Sequence, residues 1–126
     1  MNHPRFLKVA KQLASKTKDM RRGFGCVITD GNKIVSMGRN RRSHPGIPDL
    51  QLNGMRYWGL HAETEALIKA EGSVRGMTIY IHGQNVCSGS SVNSWPCPLC
   101  EKVLKEKGIK RVIFTTKDGF EERLYA

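Results

Sequence analysis

The chain has 126 residues, of which 39% are hydrophobic and 25% charged, a balance that supports one buried core and excludes a disordered chain. No apolar run supplies a signal-peptide core or approaches the ~20 residues of a membrane-spanning helix, so we expect a cytoplasmic protein without a membrane partner. At this length we expect a single domain over residues 1–126.

The formal net charge of +10 is concentrated in the first half of the chain. Residues 1–56 carry a net charge of +9, and residues 57–126 carry +1. Clustered lysine and arginine attract phosphate, although any single one of them is more often a solvated surface residue. The group formed by Arg39, Arg41 and Arg42 therefore predicts an anionic ligand, either a mononucleotide or a polynucleotide.

The four cysteines favour thiol chemistry over disulfides. Cys26, Cys87, Cys97 and Cys100 allow three pairings, but a chain of this length does not need a disulfide to fold. In a reducing compartment, the Cys-x-x-Cys spacing of Cys97 and Cys100 indicates metal binding or redox chemistry. Cys26 lies in an apolar segment and is predicted to be a small buried thiol.

The first three elements follow from periodicity and turn residues. Apolar residues at three- and four-residue spacing predict an amphipathic helix from Pro4 through Ser15. Two short apolar runs, 26–28 and 34–37, flank Asp30-Gly31-Asn32 and predict a β-hairpin.

The middle of the chain alternates loops with regular elements. Residues 39–60 contain prolines and glycines without periodicity and are predicted to form a long loop with at most a short helical turn. Helix-forming residues predict a second helix over 61–70. Alternation predicts a strand over 77–82 that Gly83 ends, and residues 84–95 are rich in Ser, Asn and Gly and predict a second long loop.

The last part of the chain adds a helix over 97–107 and a buried strand over 111–116. Residues 117–126 are predicted to form a turn and a short final element. The alternation of helices and strands after the hairpin implies crossover connections, and these place helices on both faces of one sheet.

Two fragments carry the predicted chemistry, His61-Ala62-Glu63 and Pro96-Cys97-Pro98-Leu99-Cys100. Cys97 and Cys100 lie three residues apart in the first turn of a helix, so both sulfurs can bind one ion. Two thiolates with the imidazole of His61 select zinc and leave one tetrahedral position open to water. Glu63 is then placed to transfer protons rather than to bind the metal.

Alternative interpretations of these fragments are a structural zinc site or a redox pair. Cys26, His44, His82 or Cys87 are candidate fourth ligands, and a fourth ligand would close the site to substrate. A structural zinc site has no need of Glu63, so the presence of both fragments favours the open site.

At these residues the chain resembles the cytidine deaminase-like superfamily, whose signature is His-x-Glu followed by Pro-Cys-x-x-Cys. His61 as the histidine ligand, together with the segment GCVITDGNKIVSMGRN, is similar to the deoxycytidylate and tRNA-adenosine branches. The resemblance implies an α/β fold of three layers, α/β/α, with a central mixed sheet of four to five strands. It also implies a Zn²⁺ cofactor and a homo-oligomer.

The activity that the resemblance implies is hydrolytic deamination at C4 of cytosine, with dCMP as the expected substrate and Glu63 as the catalytic residue. Asn40 matches the asparagine that holds the sugar hydroxyl. The amide of Ala62 would bind the base carbonyl, and a carbonyl near Ser94 or Trp95 would orient the exocyclic amine. Arg39, Arg41 and Arg42 are expected near the phosphate.

Two other functions remain open at this point. A nucleic-acid editor acting on cytosine or adenine in single-stranded DNA or tRNA is favoured by the basic first half and by Trp95, for which base contact and packing are equally supported. A non-catalytic module stabilised by zinc is the second, and substitution of Glu63 would distinguish it from an enzyme.

Overall fold

The computed structural model describes residues 3–18, 20–40, 50–52, 55–57 and 61–125. These ranges contain three helices and eight strands: α1 (His3–Ala14), β1 (Arg22–Asp30), β2 (Lys33–Arg39), β3 (Leu50–Leu52), β4 (Met55–Tyr57), α2 (Ala62–Lys69), β5 (Thr78–Asn85), β6 (Ser91–Val92), α3 (Pro98–Glu106), β7 (Arg111–Thr115) and β8 (Phe120–Leu124). None of the helices in these ranges combines the length and the apolar character that crossing a membrane requires.

The main sheet is mixed. Its strand order is β2-β1-β5-β7-β8, and β6 pairs with the end of β5. β5 and β7 are parallel because α3 forms the crossover between them, and all the other pairs in this sheet are antiparallel.

Alternating side chains divide the core into two layers, one on each face of the sheet. On one face, Val27, Tyr80 and Ile113 pack against α1. On the other face, the neighbouring positions of the same strands, Cys26, Ile81 and Phe114 among them, form a core with residues of α2 and α3. The predicted three-layer α/β/α fold with a mixed sheet is confirmed.

Gly38 in β2 allows α2 to lie close to the sheet. A Cβ atom at this position would stand 2.4 Å from the carbonyl oxygen of Ala62 and 2.6 Å from the amide nitrogen of Ala66. The hydroxyl of Ser36 donates a hydrogen bond to the carbonyl of Ala66 at 2.6 Å and fixes the helix on the same strand. The first turn of α2 is therefore set by its contact with β2.

The structure differs from the predicted elements at three places. β5 continues past Gly83 to Asn85, because β1 pairs with it over this whole stretch and β6 pairs with Gly83 and Gln84 on the way. β6 raises the strand count of the main sheet to six. A two-stranded sheet, β3 with β4, lies inside the segment 39–60 that was predicted to be a loop. The short final element is a full strand, β8.

Candidate active site and metal centre

The N-termini of α2 and α3 hold the predicted metal ligands. His61 is the N-cap of α2 and Cys97 is the N-cap of α3, each with extended backbone. Pro98 follows Cys97 at the first helical position, where its missing amide proton costs nothing. Sγ of Cys97 accepts a hydrogen bond from the amide of Cys100 at 3.5 Å, so the sulfur caps the helix.

These helix ends bring three donor atoms together. Nδ1 of His61 lies 3.6 Å from Sγ of Cys97 and 3.3 Å from Sγ of Cys100, and all three atoms lie within 4.8 Å of one another. Across the described ranges, His82, Cys87 and Cys26 do not join this cluster. The remaining candidate for a fourth ligand, His44, lies outside the described residues.

The cluster fits a zinc ion. Tetrahedral zinc at about 2.3 Å from sulfur and 2.0–2.1 Å from nitrogen would separate a nitrogen and a sulfur ligand by about 3.6 Å, close to the distances from His61. The hydrogen bond from Cys100, with those from His61 and the Cys100 amide, lowers the pKa of Cys97 to about 4, so Cys97 is a thiolate at neutral pH. Imidazole nitrogen and thiolate sulfur are the donor atoms that zinc takes in proteins.

Glu63 lies beside the cluster in the first turn of α2 and is only 6% exposed. Burial raises the pKa of its carboxyl group, and hydrogen bonding from its own amide and the charge of His61 oppose this increase. The carboxyl group is not part of the three-atom cluster. It is thus a buried acid whose pKa has moved toward neutrality, as a proton carrier requires.

A cavity of about 200 Å³ opens onto this cluster. Four of the predicted substrate-contact residues line it, namely Asn40, Ala62, Ser94 and Trp95. Met20 and Phe24 also line it and escaped the sequence analysis, because neither belongs to a motif or an apolar period. The complete lining is Met20, Phe24, Asn40, His61, Ala62, Glu63, Ser94, Trp95 and Cys97.

The side chain of Asn40 is bonded within the protein. Its Oδ1 accepts hydrogen bonds from the amide of Phe24 at 2.8 Å and from the hydroxyl of Thr17 at 3.1 Å. Its Nδ2 donates to the carbonyl of Arg22 at 2.8 Å and to Sδ of Met20 at 3.4 Å. Since sulfur is a weak acceptor, the bond to Met20 is the one that a ligand would replace most easily.

Ser94 and Trp95 form the opposite wall. The single hydroxyl proton of Ser94 is shared between the backbone carbonyls of Ile81 and Thr115, at 3.0 and 3.1 Å, and its oxygen accepts from the amide of Thr115 at 2.8 Å. Ser94 thus joins β5 and β7 to the segment before α3. The Trp95 ring packs edge-on against Phe114, with 4.9 Å between centroids. Trp95 therefore has a packing role and also faces the cavity.

Only one of the three predicted phosphate-binding arginines lies within the described residues. Arg39 does not line the cavity beside the cluster, and its amide donates to Oε1 of Glu65 at 3.3 Å. Arg41 and Arg42 lie outside the described residues. The phosphate contact stays a prediction.

Helix-capping histidine and cysteine ligands beside a buried glutamate, on a three-layer α/β/α fold, are the arrangement typical of zinc-dependent deaminases. The chain matches the family described as the cytidine and deoxycytidylate deaminase zinc-binding region over residues 1–116, and it belongs to this family.

Similar proteins agree with this assignment. An Aliivibrio fischeri protein described as an uncharacterized deaminase is 32% identical over 112 residues, which cover 86% of this chain and 68% of that protein. The deoxycytidylate deaminase of Pongo abelii is 31% identical over 121 residues, 86% of this chain and 61% of the relative. The dCMP deaminase of cyanophage S-TIM5, solved in complex with dCMP and dUMP, has the same fold, with a TM-score of 0.59 and 24% identity over 88% of this chain and 78% of the phage chain.

Proposed function

We propose that the chain is a zinc-dependent hydrolase that converts a cytosine nucleotide, dCMP first of all, to the uracil nucleotide with release of ammonia. The observation that carries the proposal is the three-atom His-Cys-Cys cluster that shares a cavity with the buried carboxyl group of Glu63. Three protein ligands leave one position open, which is what a hydrolytic zinc site needs and a structural site lacks.

In this proposal His61, Cys97 and Cys100 hold the metal, and Glu63 moves the protons. Zinc supplies a Lewis acid that makes water nucleophilic near neutral pH. Glu63 takes one proton from the attacking water and delivers it to N3 of the base. The C4–N4 bond then breaks, and N4 leaves as ammonia with the second proton of the water, so that one water is consumed for each ammonia released.

The walls of the cavity suit a base in this position. The amide of Ala62 is the first in α2, where helix amides lack internal partners, and it is available to the base carbonyl. A backbone carbonyl near Ser94 or Trp95 would accept a hydrogen bond from the exocyclic amine. The dipoles of both helices favour negative charge that develops beside the cluster.

The preference for dCMP is supported by relatives and by charge. The Pongo abelii relative is a deoxycytidylate deaminase, and the cyanophage protein was solved with dCMP and dUMP. We propose that Arg39, Arg41 and Arg42 meet the phosphate, and that Nδ2 of Asn40 exchanges its bond to Met20 for one to the sugar hydroxyl.

A product assay tests the proposal. Ammonia release is measured with dCMP, CMP, dCTP, deoxycytidine, single-stranded DNA and tRNA, and a Glu63→Ala variant with the same zinc content serves as the blank. We expect the highest kcat/KM with dCMP and no turnover above the blank in the variant. No ammonia from any cytosine nucleoside or nucleotide would refute the proposal.

The sugar contact has its own test. Removing the 3′-hydroxyl of dCMP should lower kcat/KM by about three- to tenfold in the wild type, the effect of one lost hydrogen bond. In Asn40→Ala, kcat/KM for dCMP and kcat/KM for its analogue without the 3′-hydroxyl should differ by less than about twofold. If the ratio of the two kcat/KM values is the same in the wild type and in Asn40→Ala, Asn40 has a structural role in the cavity wall and does not bind the sugar.

A nucleic-acid editor is the second candidate, favoured by the net charge of +9 on residues 1–56. Exposed Arg5, Lys8 and Lys11 lie along α1. Binding of single-stranded DNA that weakens steeply between about 50 and 200 mM salt, together with deamination of the bound strand, would favour this candidate over dCMP. A third candidate, a zinc-stabilised binding module, predicts that Glu63→Ala keeps the function as well as the metal.

We also propose that the protein is a homo-oligomer. Two large apolar side chains on neighbouring elements support it, since Met37 on β2 is 41% exposed and Ile68 on α2 is 55% exposed. Sedimentation equilibrium of the wild type and of Ile68→Lys tests it, with a lower mass expected for the variant.

A further inference from the structure

Cys26 is a buried thiol that reaches the proposed proton carrier. It lies in the middle of β1 with no exposed surface. Its Sγ donates a hydrogen bond to Oε1 of Glu63 at 3.6 Å. The sequence placed Cys26 in the core as a small apolar residue, and the structure adds this polar contact.

The sheet fixes the position of this thiol. Cys26 pairs with Gly38 of β2 on one side and with Ile81 of β5 on the other, so its strand is held on both edges. Gly38 is also the residue that lets the carbonyl of Ala62 approach β2. The same strand pair that carries Cys26 thus brings the first turn of α2, and Glu63 with it, onto the thiol.

The chemistry of the pair is that of a donor and an acceptor. Burial, with the charge of Glu63, raises the pKa of Cys26, so the group remains S–H at neutral pH. A carboxylate is an acceptor and gains most from a hydrogen bond when it is buried. An alanine or a valine at position 26 would leave Oε1 without this donor.

We propose that Cys26 is a positioning residue for Glu63, whose thiol holds the carboxylate in the rotamer from which proton transfer takes place. The proposal rests on the proposed function for its kinetic consequence, but the contact itself is independent of substrate. Cys26 does not contact the base or the metal in this account. It acts only through Glu63.

Infrared spectroscopy tests the contact without substrate. The S–H stretch lies in a region that is free of other protein bands, and Cys26→Ala identifies the component that belongs to Cys26. We expect Glu63→Ala to move this component to higher frequency, because the acceptor is gone. An unchanged band in Glu63→Ala would overturn the proposal.

Steady-state kinetics test the consequence with the best substrate from the product assay. Cys26→Ala and Cys26→Val should each lower kcat by about three- to tenfold while KM stays within about twofold and the zinc content is unchanged. Alanine is smaller than cysteine and valine is larger, so the two variants change the packing in opposite directions, and an equal loss in both points to the missing donor. Ile28→Val is the matched control, since Ile28 lies in the same strand and core cluster and the change destabilises that core without removing a donor.

The outcomes separate this proposal from the proposed function. If kcat in Cys26→Ala and Cys26→Val equals that of the wild type, or if Ile28→Val loses as much activity as they do, Cys26 is only a packing residue. If the wild type deaminates none of the substrates, the proposed function fails, and the infrared shift still decides whether the thiol binds Glu63.

Discussion

Replacing Gly38 by alanine tests whether the position of α2 controls the site. The new Cβ would lie 2.4 Å from the carbonyl oxygen of Ala62, 2.6 Å from the amide of Ala66 and 3.1 Å from Cβ of Glu65. Contacts of this kind are not observed below 3.0 Å, so the helix has to move by at least about 0.6 Å. His61 and Glu63 sit in the turn that moves.

The expected size of the effect follows from this displacement. Overpacking of a core costs about 1–3 kcal/mol, and for a domain of this size that lowers Tm by about 3 to 15 °C. A displacement approaching 1 Å in a catalytic group costs up to about a hundredfold in rate. We therefore expect kcat for the best cytosine nucleotide to fall by about ten- to a hundredfold in Gly38→Ala.

Gly119→Ala is the matched control, because a Cβ there meets nothing within 4 Å. Both variants are compared with the wild type by thermal unfolding, bound zinc and ammonia release. Wild-type Tm and kcat in Gly38→Ala would contradict the argument that close contact with β2 positions the first turn of α2. A lower Tm with an unchanged kcat would show that Gly38 matters for packing alone, and it would refute the claim that the position of α2 controls the rate.

Three further predictions concern the metal, the buried acid and the β5–β7 junction. Cys97→Ala should weaken zinc binding by about a hundredfold or more, measured by competition with a chromophoric chelator, because one of three ligands is lost; unchanged affinity would exclude Cys97 as a ligand. Glu63→Gln should stabilise the metal-free protein at neutral pH, because burial raises the pKa of this carboxyl group and its charge then opposes folding. The gain should shrink below the ordinary pKa of glutamate, where the group is protonated in both the folded and unfolded states, and a gain that instead grows toward acid pH in thermal unfolding would contradict the sign. Ser94→Ala should cost about 1–3 kcal/mol in urea unfolding, because the buried amide of Thr115 loses its partner at 2.8 Å; a change below about 0.5 kcal/mol would show that the backbone compensates.

The elements and the metal cluster were accessible from the sequence because both depend on local signals. His61, Cys97 and Cys100 sit at helix N-termini, where the residues that begin a helix and the spacing of the ligands occur in the same few positions. The three-layer fold follows from the order of the elements, and the sheet with a core on each face confirms it. β6 was missed because a two-residue strand carries no period of its own and exists only by pairing with β5.

The contacts of Cys26, Met20 and Phe24 at the site could not be predicted, because they depend on strand register and on contacts between residues far apart in the chain. Cys26 is 37 residues from Glu63 in the chain. The pairing of β1 with β2 and the packing of α2 on β2 bring the two residues together. Met20 and Phe24 are held at the cavity by hydrogen bonds to the side-chain amide of Asn40, which lies 20 and 16 residues further along the chain. The single-domain organisation and the cytoplasmic location remain predictions.

The ligand set also decides how much charge a bound zinc ion would present to Glu63. With zinc bound, Cys97 and Cys100 would both be thiolates and would balance the two charges of the ion, and a neutral His61 would add none. Such a centre would carry no net charge, so the bound ion would change the pKa of Glu63 little. In the metal-free chain, burial is the main influence on the pKa of this carboxyl group and raises it. A set with one thiolate fewer would leave a net positive charge beside Glu63, which would lower the pKa of its carboxyl group and make the carboxylate a weaker base toward water.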